Sequence, residues 1–333
     1  AETLVIVNHS AARARAAWTE VRAALAAAGV AFDAHEAREF GDARESAREA
    51  VAAGYRTVAV VGGDGTLSEV VNGFFAREIE RRVGGAESAR APLPQTSARA
   101  ALAVLPAGTG NDFARALDGR RASLEPWIAR LVRHSRSPCE ATTRVVDVLG
   151  GAVGDDARQF FCLNAVTLGI GAQVAARVAA QGAAVRRLSG EARFALAAAG
   201  ELARWRERRV RVRVDDGEAF ECATNLIAVV NSRFAGGGMM FSPDARVDDG
   251  LLDVVTARGI SRAMLVREMT RIHAGGHVKN PRVSITLGVR VRIEPVTDAD
   301  ALPVEADGDV RGLIPLELTV VPGALRVVVG KDE

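Results

Sequence analysis

Lysine is almost absent from this chain of 333 residues. It occurs only at Lys279 and Lys331, so 41 of the 43 basic residues are arginine. A P-loop nucleotidase needs the lysine of its G-x-x-x-x-G-K-S/T loop, and a protein kinase needs a strand-borne lysine that contacts the phosphates. Neither lysine of this chain stands in such a sequence. The composition therefore disfavours both of these phosphotransferase classes.

Cysteine is scarce as well. The three cysteines, Cys139, Cys162 and Cys222, are widely spaced and form no C-x-x-C pair, which indicates neither a disulfide framework nor a zinc site and fits a reducing cytoplasm. No apolar run approaches the roughly 18 residues that cross a bilayer, and the first residues resemble a strand rather than a signal peptide. We therefore expect a cytoplasmic protein that meets lipid, if at all, from the surface.

An excess of charge of one sign is lacking too. The 43 Lys and Arg residues and 41 Asp and Glu residues leave a net charge of +2, so no global field indicates a nucleic-acid partner. Apolar residues make up 48% and charged residues 25%, which is ordinary for a globular protein. The length favours two domains.

The first 140 residues alternate short apolar runs with helical patterns, which predicts an α/β domain with a parallel sheet over 1–140. Within it, the segment 83–99 is polar and rich in Gly, Pro and Ser, which predicts a long mobile loop. The predicted elements of this half are strands at Leu4–Val7, Val30–Ala34, Thr57–Val61 and Ala101–Leu105, a helix rich in Ala and Arg that closes near Gly29, and a helix at Asp42–Ala53.

Strand patterns dominate after Thr142, so we predict a β-rich domain with helices over 141–333. The sequence leaves open to which domain the last strands return. The predicted strands are Arg144–Leu149, Phe160–Ala165, Arg208–Val214, Asn225–Asn231, Leu251–Thr256, Val283–Ile293 and Leu325–Val329. The predicted helices are Gly171–Ala180, Gly190–Arg206 and Ser261–His273, and a hairpin turn is expected at Asp215–Gly217.

The sharpest motif follows the third predicted strand and precedes a helix expected from Ser68. Its residues are Gly62, Gly63, Asp64, Gly65, Thr66 and Leu67. Glycines let backbone N–H groups approach phosphate oxygens closely, and the helix N-terminus adds partial positive charge. The motif thus predicts a phosphate site that needs no lysine. The alternative is an ordinary turn between a strand and a helix, with Asp64 as the N-cap.

A second glycine turn follows the strand Ala101–Leu105 and contains Gly108, Thr109, Gly110, Asn111 and Asp112. Loops at the carboxyl ends of neighbouring parallel strands face one crevice, so we expect the two turns to lie together. The alternative is plain turn chemistry with an Asx cap.

Three segments of the second half carry further motifs. They are Asn164–Ala172 (NAVTLGIGA), Phe241–Asp253 (FSPDARVDDGLLD) and Val304–Asp309 (VEADGD). Together with the two loops, these segments resemble the diacylglycerol kinase catalytic-domain family, which includes bacterial YegS-like lipid kinases and sphingosine kinases. That family is related to NAD kinases and 6-phosphofructokinases. The resemblance implies an α/β nucleotide-binding domain followed by a domain similar to a β-sandwich with helices.

The resemblance also implies roles for individual residues at the nucleotide. Asp64 and Asp112 would organise catalytic Mg²⁺, a hard cation that prefers oxygen ligands. Asn111 would brace the second loop. Asn8 and Ser10 stand where the family usually has an Asn-Pro-x-x-Gly loop and would reach the ATP. The residues expected around the ATP phosphates are Gly62, Gly63, Asp64, Gly65, Thr66, Leu67 and Thr109.

Further implied roles fall in the second half. A structural metal would be held by Asp249 with the backbone carbonyls of Arg246 and Leu251, where the alternative is an ordinary turn before a strand. The general base would be Asp309, at a position where the family more commonly has glutamate. Asp307 is the fallback base.

The function implied is an ATP- and Mg²⁺-dependent lipid kinase that acts on a lipid at the membrane surface, peripheral at the inner face. Diacylglycerol, phosphatidylglycerol, undecaprenol and a sphingoid base all stay open as substrates. Two alternatives remain: a kinase of a small soluble hydroxyl substrate, as in NAD kinases, and a module that binds nucleotide or lipid without catalysis. The oligomeric state is also open, a homodimer included.

Two segments outside these motifs have competing interpretations. The glycine triplet that opens Gly236–Phe241 is either an acyl-chain entrance or an ordinary loop over a core. Trp205, with the arginines that follow it, is either an interfacial patch for anionic lipid or a packed tryptophan beside a solvated strand face.

Overall fold

The computed structural model describes residues 1–77, 79, 100–179, 181, 196–197, 199–201 and 204–330. The loop predicted over 83–99 lies outside these residues, as does most of the helix predicted over 190–206. Within the described part of the chain, no helix is long and apolar enough to cross a membrane.

The first half is an α/β unit with a parallel sheet, as predicted. Its strands lie side by side in the order β4-β3-β1-β2. The elements are β1 Thr3–Asn8, α1 Ala12–Ala27, β2 Phe32–Ala37, α2 Asp42–Ala53, β3 Thr57–Gly62, α3 Asp64–Phe74, β4 Ala101–Pro106, α4 Asp112–Asp118 and α5 Leu124–Arg136.

Hydrophobic patterning explains why these elements form. Strands β3 and β4 are buried at every residue and are continuous apolar runs, as expected for parallel strands covered on both faces. The buried residues of α1 recur at helical spacing, at Ala14, Trp18, Val21 and Leu25, so the helix presents one apolar face to the sheet.

Strand β2 begins two residues later than predicted. The N–H of Val30 donates to the carbonyl of Leu25 at 3.0 Å, so Val30 closes the end of α1 instead of starting a strand. Gly29 supplies the left-handed backbone that this helix ending requires, with φ at +69°.

The second half is β-rich and mostly antiparallel, again as predicted. Its strands are β5 Thr143–Val153, β6 Arg158–Cys162, β7 Ala165–Gly169, β8 Arg208–Val214, β9 Phe220–Val230, β10 Phe234–Ala235, β11 Met239–Met240, β12 Leu252–Arg258, β13 Val283–Gly288, β14 Arg290–Pro295, β15 Pro303–Ala306, β16 Asp309–Leu313 and β17 Leu316–Val328. The helices are α6 Ile170–Ala179 and α7 Arg262–Arg271, with short 3-10 turns at Glu140–Thr142, Ile272–Ala274, Gly276–Lys279 and Asp298–Asp300.

The strand predicted over Val283–Ile293 is two strands, because the chain turns at Gly288. A Cβ atom at Gly288 would overlap the side chain of Val214, so the turn packs directly on the end of β8. Asp215 fixes the turn by accepting the N–H groups of Val289 at 2.9 Å and Arg290 at 2.8 Å. The expected β8–β9 hairpin turn is present, with Asp215 at φ +52°.

The final strand β17 joins the two halves. It pairs antiparallel with β5 over almost its whole length and with β14, and Val327 pairs in parallel with Leu102 of β4. The first part of β17 contributes Leu316, Leu318 and Val320 to the core of the second half. The last part contributes Val321, Ala324, Leu325, Val327 and Val328 to the core of the first half. The boundary at 140/141 stays a prediction.

Candidate active site

The first glycine loop is the start of a helix. Helix α3 begins at Asp64 rather than at Ser68, and its N-cap is Gly63, not Asp64. The N–H of Leu67 donates to the carbonyl of Gly63 at 3.1 Å. The N–H groups of the first helical turn precede this bond and have no partner within a helix, and together with the helix dipole they form an anion-binding terminus.

The two glycine loops touch backbone to backbone. A Cβ atom at Gly108 would lie 2.5 Å from the Cα atom of Gly63, so no larger residue fits there without movement. The N–H of Ala107 also donates to the carbonyl of Gly62 at 2.8 Å. The expectation that both loops lie at one edge of the sheet is therefore met.

Asn111 braces the second loop by reciprocal hydrogen bonds. Its Oδ1 accepts the N–H of Gly108 at 2.8 Å, and its Nδ2 donates to the carbonyl of Gly108 at 3.2 Å. Asn111 adopts left-handed backbone geometry, with φ at +53°. Its amide is thus engaged within the loop. Thr109 is exposed at the loop tip.

Asp64 and Asp112 face one small gap beside Gly110. A Cβ atom at Gly110 would lie 3.1 Å from Oδ2 of Asp64 and 3.4 Å from Oδ2 of Asp112. Oδ2 of Asp112 accepts the N–H of Gly237 at 2.7 Å, while its Oδ1 is buried and has no hydrogen-bond partner. Oδ1 of Asp64 accepts the N–H of Phe113 at 3.4 Å.

The pKa values of this pair are raised. Burial, followed by the charge of Asp64, raises the pKa of Asp112 to about 6. Burial also raises the pKa of Asp64, against the backbone N–H groups that it accepts. Two adjacent carboxylates with an unpartnered buried oxygen are a donor set that fits a divalent cation such as Mg²⁺.

Asn8 ties β1 to the first loop. Its Nδ2 donates to Oγ1 of Thr66 at 2.9 Å, and its Oδ1 accepts the hydroxyl of Ser10 at 2.6 Å. Ser10 is exposed, whereas Thr66 is buried. Leu67 lies in the core with 4% of its surface exposed, and its N–H is used in the helix. Its expected place beside the ATP phosphates stays a prediction.

The hairpin β15–β16 brings the predicted bases to the same region. Asp307, in the turn with φ at +47°, accepts the N–H groups of Leu163 at 2.7 Å, Asn164 at 3.0 Å and Ala165 at 3.2 Å, so both of its oxygens are occupied. Burial raises its pKa to about 6, and the charge of Asp64 adds to that increase.

Asp309 is the more open of the two candidates. About a third of its side chain is exposed, at 30%, and its Oδ2 lies 3.3 Å from Nη2 of Arg311. Burial raises the pKa of Asp309, while the charge of Arg311 lowers it. Burial raises the pKa of Glu69 on α3, and the charge of Asp309 adds to that increase.

Glu305 is a titratable residue of this hairpin that the sequence motifs did not single out. It accepts hydrogen bonds from the hydroxyl of Thr167 and the N–H of Gly308. Burial raises its pKa to about 7, and the charges of Asp307 and Asp309 contribute. Its position four residues before Asp309 in an acidic hairpin was the available signal.

The loop predicted to hold a structural metal makes contacts within itself. Asp249 is exposed, and its Oδ1 accepts the N–H of Leu251 at 3.1 Å. The neighbouring Asp248 pairs instead with Arg144 at 2.7 Å and with Arg246 at 3.5 Å. Among the described residues, no group of three or more His, Cys, Asp or Glu side chains is arranged to hold a metal ion. A metal at Arg246, Asp249 and Leu251 stays a prediction.

The glycine triplet of the second half closes on the second loop of the first half. Its three residues, Gly236, Gly237 and Gly238, have φ values of +63°, +87° and +96°. Besides the bond from Gly237 to Asp112, a Cβ atom at Gly238 would overlap the guanidinium of Arg115. The triplet is thus a contact between the halves, a role that its sequence did not reveal.

Trp205, for its part, is packed: it is buried and donates to Asn225 at 2.6 Å.

Comparison with known proteins defines the family. Residues 2–144 match the diacylglycerol kinase catalytic domain, and residues 164–329 match the YegS C-terminal NAD kinase beta sandwich-like domain. A Pseudomonas aeruginosa protein named "Probable lipid kinase YegS-like" is 34% identical over 311 residues, covering 92% of this chain and 89% of the relative. A Mycobacterium tuberculosis "Diacylglycerol kinase" is 31% identical over 301 residues, covering 90% and 83%.

Solved structures share the fold. A crystal structure from Bacillus anthracis, described as a candidate diacylglycerol kinase, aligns with a TM-score of 0.71 at 20% identity over 98% of this chain and 95% of that one. An Archaeoglobus fulgidus NAD kinase in complex with ATP aligns with a TM-score of 0.50 at 12% identity over 99% and 94%. The expected similarity to the NAD kinase fold is thereby confirmed.

These matches place the protein in a class of phosphotransferases that act on alcohol groups. The chain belongs to the diacylglycerol kinase family, the one that its loop and hairpin motifs resemble.

Proposed function

We propose that this protein is an ATP- and Mg²⁺-dependent lipid kinase that transfers the γ-phosphate to the hydroxyl of diacylglycerol or a related lipid. The observation that supports this most is that distant parts of the chain meet in one region. Asp64, in the first turn of α3, and Asp112 both lie beside Gly110, and Arg311 of the hairpin donates to Ser68 of the same helix at 3.1 Å. The anion-binding helix terminus, the carboxylate pair and the acidic hairpin therefore share one region.

The nucleotide side of this site needs no lysine. The N–H groups at the start of α3 would bind phosphate oxygens, and the contact between Gly63 and Gly108 keeps the two loops close to the phosphates. Asp64 and Asp112 would hold Mg²⁺, which neutralises charge on the transferred phosphoryl group. Phosphoryl transfer requires mainly such positioning and charge neutralisation.

The acceptor side is the hairpin. Asp309 would accept the proton of the lipid hydroxyl, because Asp307 uses both oxygens to accept backbone N–H groups. Burial raises the pKa of Asp309 toward neutral pH. A general base is most effective when its pKa lies near the working pH. Asp307 would instead hold the turn that carries Asp309.

The lipid substrate is supported by the names of relatives that match most of the chain, which are lipid kinases and diacylglycerol kinases. Because diacylglycerol resides in the bilayer, the protein would work as a peripheral enzyme at the inner membrane face.

The test is transfer of label from ATP labelled at the γ-phosphate into a total lipid extract, with and without Mg²⁺. We expect a labelled product in the organic phase, and we expect this product to form only when Mg²⁺ is present. Label in a water-soluble product would contradict the lipid kinase and would indicate a kinase of a small hydroxyl compound. ATP binding without transfer to any acceptor would contradict the proposed catalysis.

A further inference from the structure

Arg311 links the strand of the expected base to the helix of the nucleotide loop. Its Nη2 donates to Oδ2 of Asp309 at 3.3 Å and to Oγ of Ser68 at 3.1 Å. Ser68 lies in α3, directly after the first glycine loop, and is 1% exposed. One side chain therefore spans the two halves at the site.

The backbone directs this side chain. The β15–β16 ladder pairs Glu305 with Val310 and Val304 with Gly312, so the register skips Arg311. Such a β-bulge re-aims a side chain and is common beside active sites. The guanidinium lies over the ring of Phe160, 5.6 Å from its centre. This stacking limits how far the guanidinium can move away from Asp309.

The charges around Asp309 give Arg311 a second effect. The groups that interact with Asp309 are Glu69 of α3, Glu305 of the hairpin, and Arg311. Two of these three are carboxyl groups, and the guanidinium is the positive member of the set. Its charge opposes the effect of burial on the pKa of Asp309.

We propose that Arg311 is a positioning residue that fixes the direction of the Asp309 carboxylate relative to α3 and supplies the positive charge beside it. This role rests on the proposed function, because it assigns a partner to the base of that reaction. Ser68 completes the link by anchoring the guanidinium to the helix that begins at the nucleotide loop.

The test is the pH profile of kcat/KM from about pH 5 to about pH 9 for wild type and four variants. Arg311→Met removes the charge and both hydrogen bonds, Arg311→Lys keeps the charge, and Ser68→Ala removes only the anchor. Arg56→Met is the matched control, because Arg56 is exposed and pairs with Glu2 outside the site. A melting curve for each variant shows that it is folded.

In the pH profile of Arg311→Met, we expect the acid limb to move up by about one pH unit. The kcat of this variant should fall about tenfold at the acid end, and its ATP binding should be retained. Arg311→Lys and Ser68→Ala should keep the wild-type acid limb while lowering kcat. Arg56→Met should match wild type.

Two contrary outcomes are distinguishable. The role of Arg311 alone is overturned if wild type is active and Arg311→Met shows the same acid limb, with a kcat within about twofold of the control. A wild type that transfers no phosphate to any lipid overturns the proposed function, and the role of Arg311 falls with it.

Discussion

Asp112 is a buried carboxyl group whose negative charge is unfavourable in the folded protein. Burial and the neighbouring charge of Asp64 raise its pKa from 3.8 to about 6, and one of its oxygens has no hydrogen-bond partner. Near neutral pH the group is ionised in spite of this, so its charge destabilises the fold until a cation neutralises it. This unfavourable charge is what makes the site suited to a divalent metal.

Asp112→Asn is therefore expected to stabilise the metal-free protein near neutral pH. Because the folded pKa lies above the unfolded one, the free energy of unfolding of wild type falls as the pH rises from about 4 to about 6. The variant lacks the part of this fall that Asp112 contributes and gains at most about 3 kcal/mol above that range. Urea unfolding across this pH range measures the difference.

The control and the metal response sharpen this prediction. Asp216→Asn removes an exposed carboxylate that pairs with Arg290, and it should leave the pH dependence unchanged. Adding Mg²⁺ should raise the Tm of wild type and not that of Asp112→Asn. Parallel stability curves for wild type and Asp112→Asn at all pH values would contradict the account of Asp112.

Sequence motifs located the glycine and aspartate residues of the site because each group stands in a short local pattern. They did not locate Glu305 or Arg311. Glu305 becomes significant through its contact with Thr167, 138 residues away, and Arg311 through its contact with Ser68, 243 residues away. Contacts of this kind depend on tertiary structure, which no local spacing encodes.

At the scale of elements, helix α3 holds the site together. Its first turn forms the first glycine loop, and Asn72, two turns later, bonds the backbone of β6 in the other half. Nδ2 of Asn72 donates to the carbonyl of Phe161 at 2.8 Å, and Oδ1 accepts the N–H of Phe161 at 2.9 Å. The two halves thus meet along one face of this helix.

Asn72→Ala is expected to destabilise the protein by about 3 kcal/mol, because it leaves a buried N–H and a buried carbonyl of β6 without partners. Gln159→Ala is the matched control on the same strand, since its side chain bonds only the nearby carbonyl of Ala157 at 3.0 Å among the bonds described. Denaturant unfolding gives both values. Equal stability of the two variants would contradict the role assigned to Asn72.

Local periodicity predicted the elements that it can specify. The helix Asp42–Ala53 and the strand Arg208–Val214 have the predicted bounds, because each has a clear period and clear ends. The hairpin β15–β16 was not predicted as secondary structure, since both of its strands are short and β16 contains a glycine. The pairing of β5 with β17 could not be predicted either, because the paired residues lie about 170 positions apart in the sequence.

At the scale of the whole molecule, β17 contributes side chains to the cores of both halves. Two packed units that share a central strand cannot unfold independently without exposing it. We therefore expect one cooperative unfolding transition for the protein.

Tryptophan fluorescence can test this cooperativity. Trp18 and Trp127 lie in the core of the first half, and Trp205 lies in the core of the second. Variants that keep only Trp127 or only Trp205, with the others changed to Phe, should each show the same denaturation midpoint by fluorescence as by circular dichroism. Separate midpoints for the two probes within each variant would show that the halves unfold independently.

We propose that parts of both halves form one phosphotransfer site with Asp309 as the base. The most direct measurement is single-turnover transfer of the γ-phosphate to lipid by wild type, Asp309→Asn and Asp307→Asn, with ATP affinity and Tm measured on the same samples. Asp309→Asn should lose about 10² to 10⁴ in rate while retaining ATP affinity and Tm, and Asp307→Asn should lose stability as well. Near-normal transfer by Asp309→Asn would contradict the account.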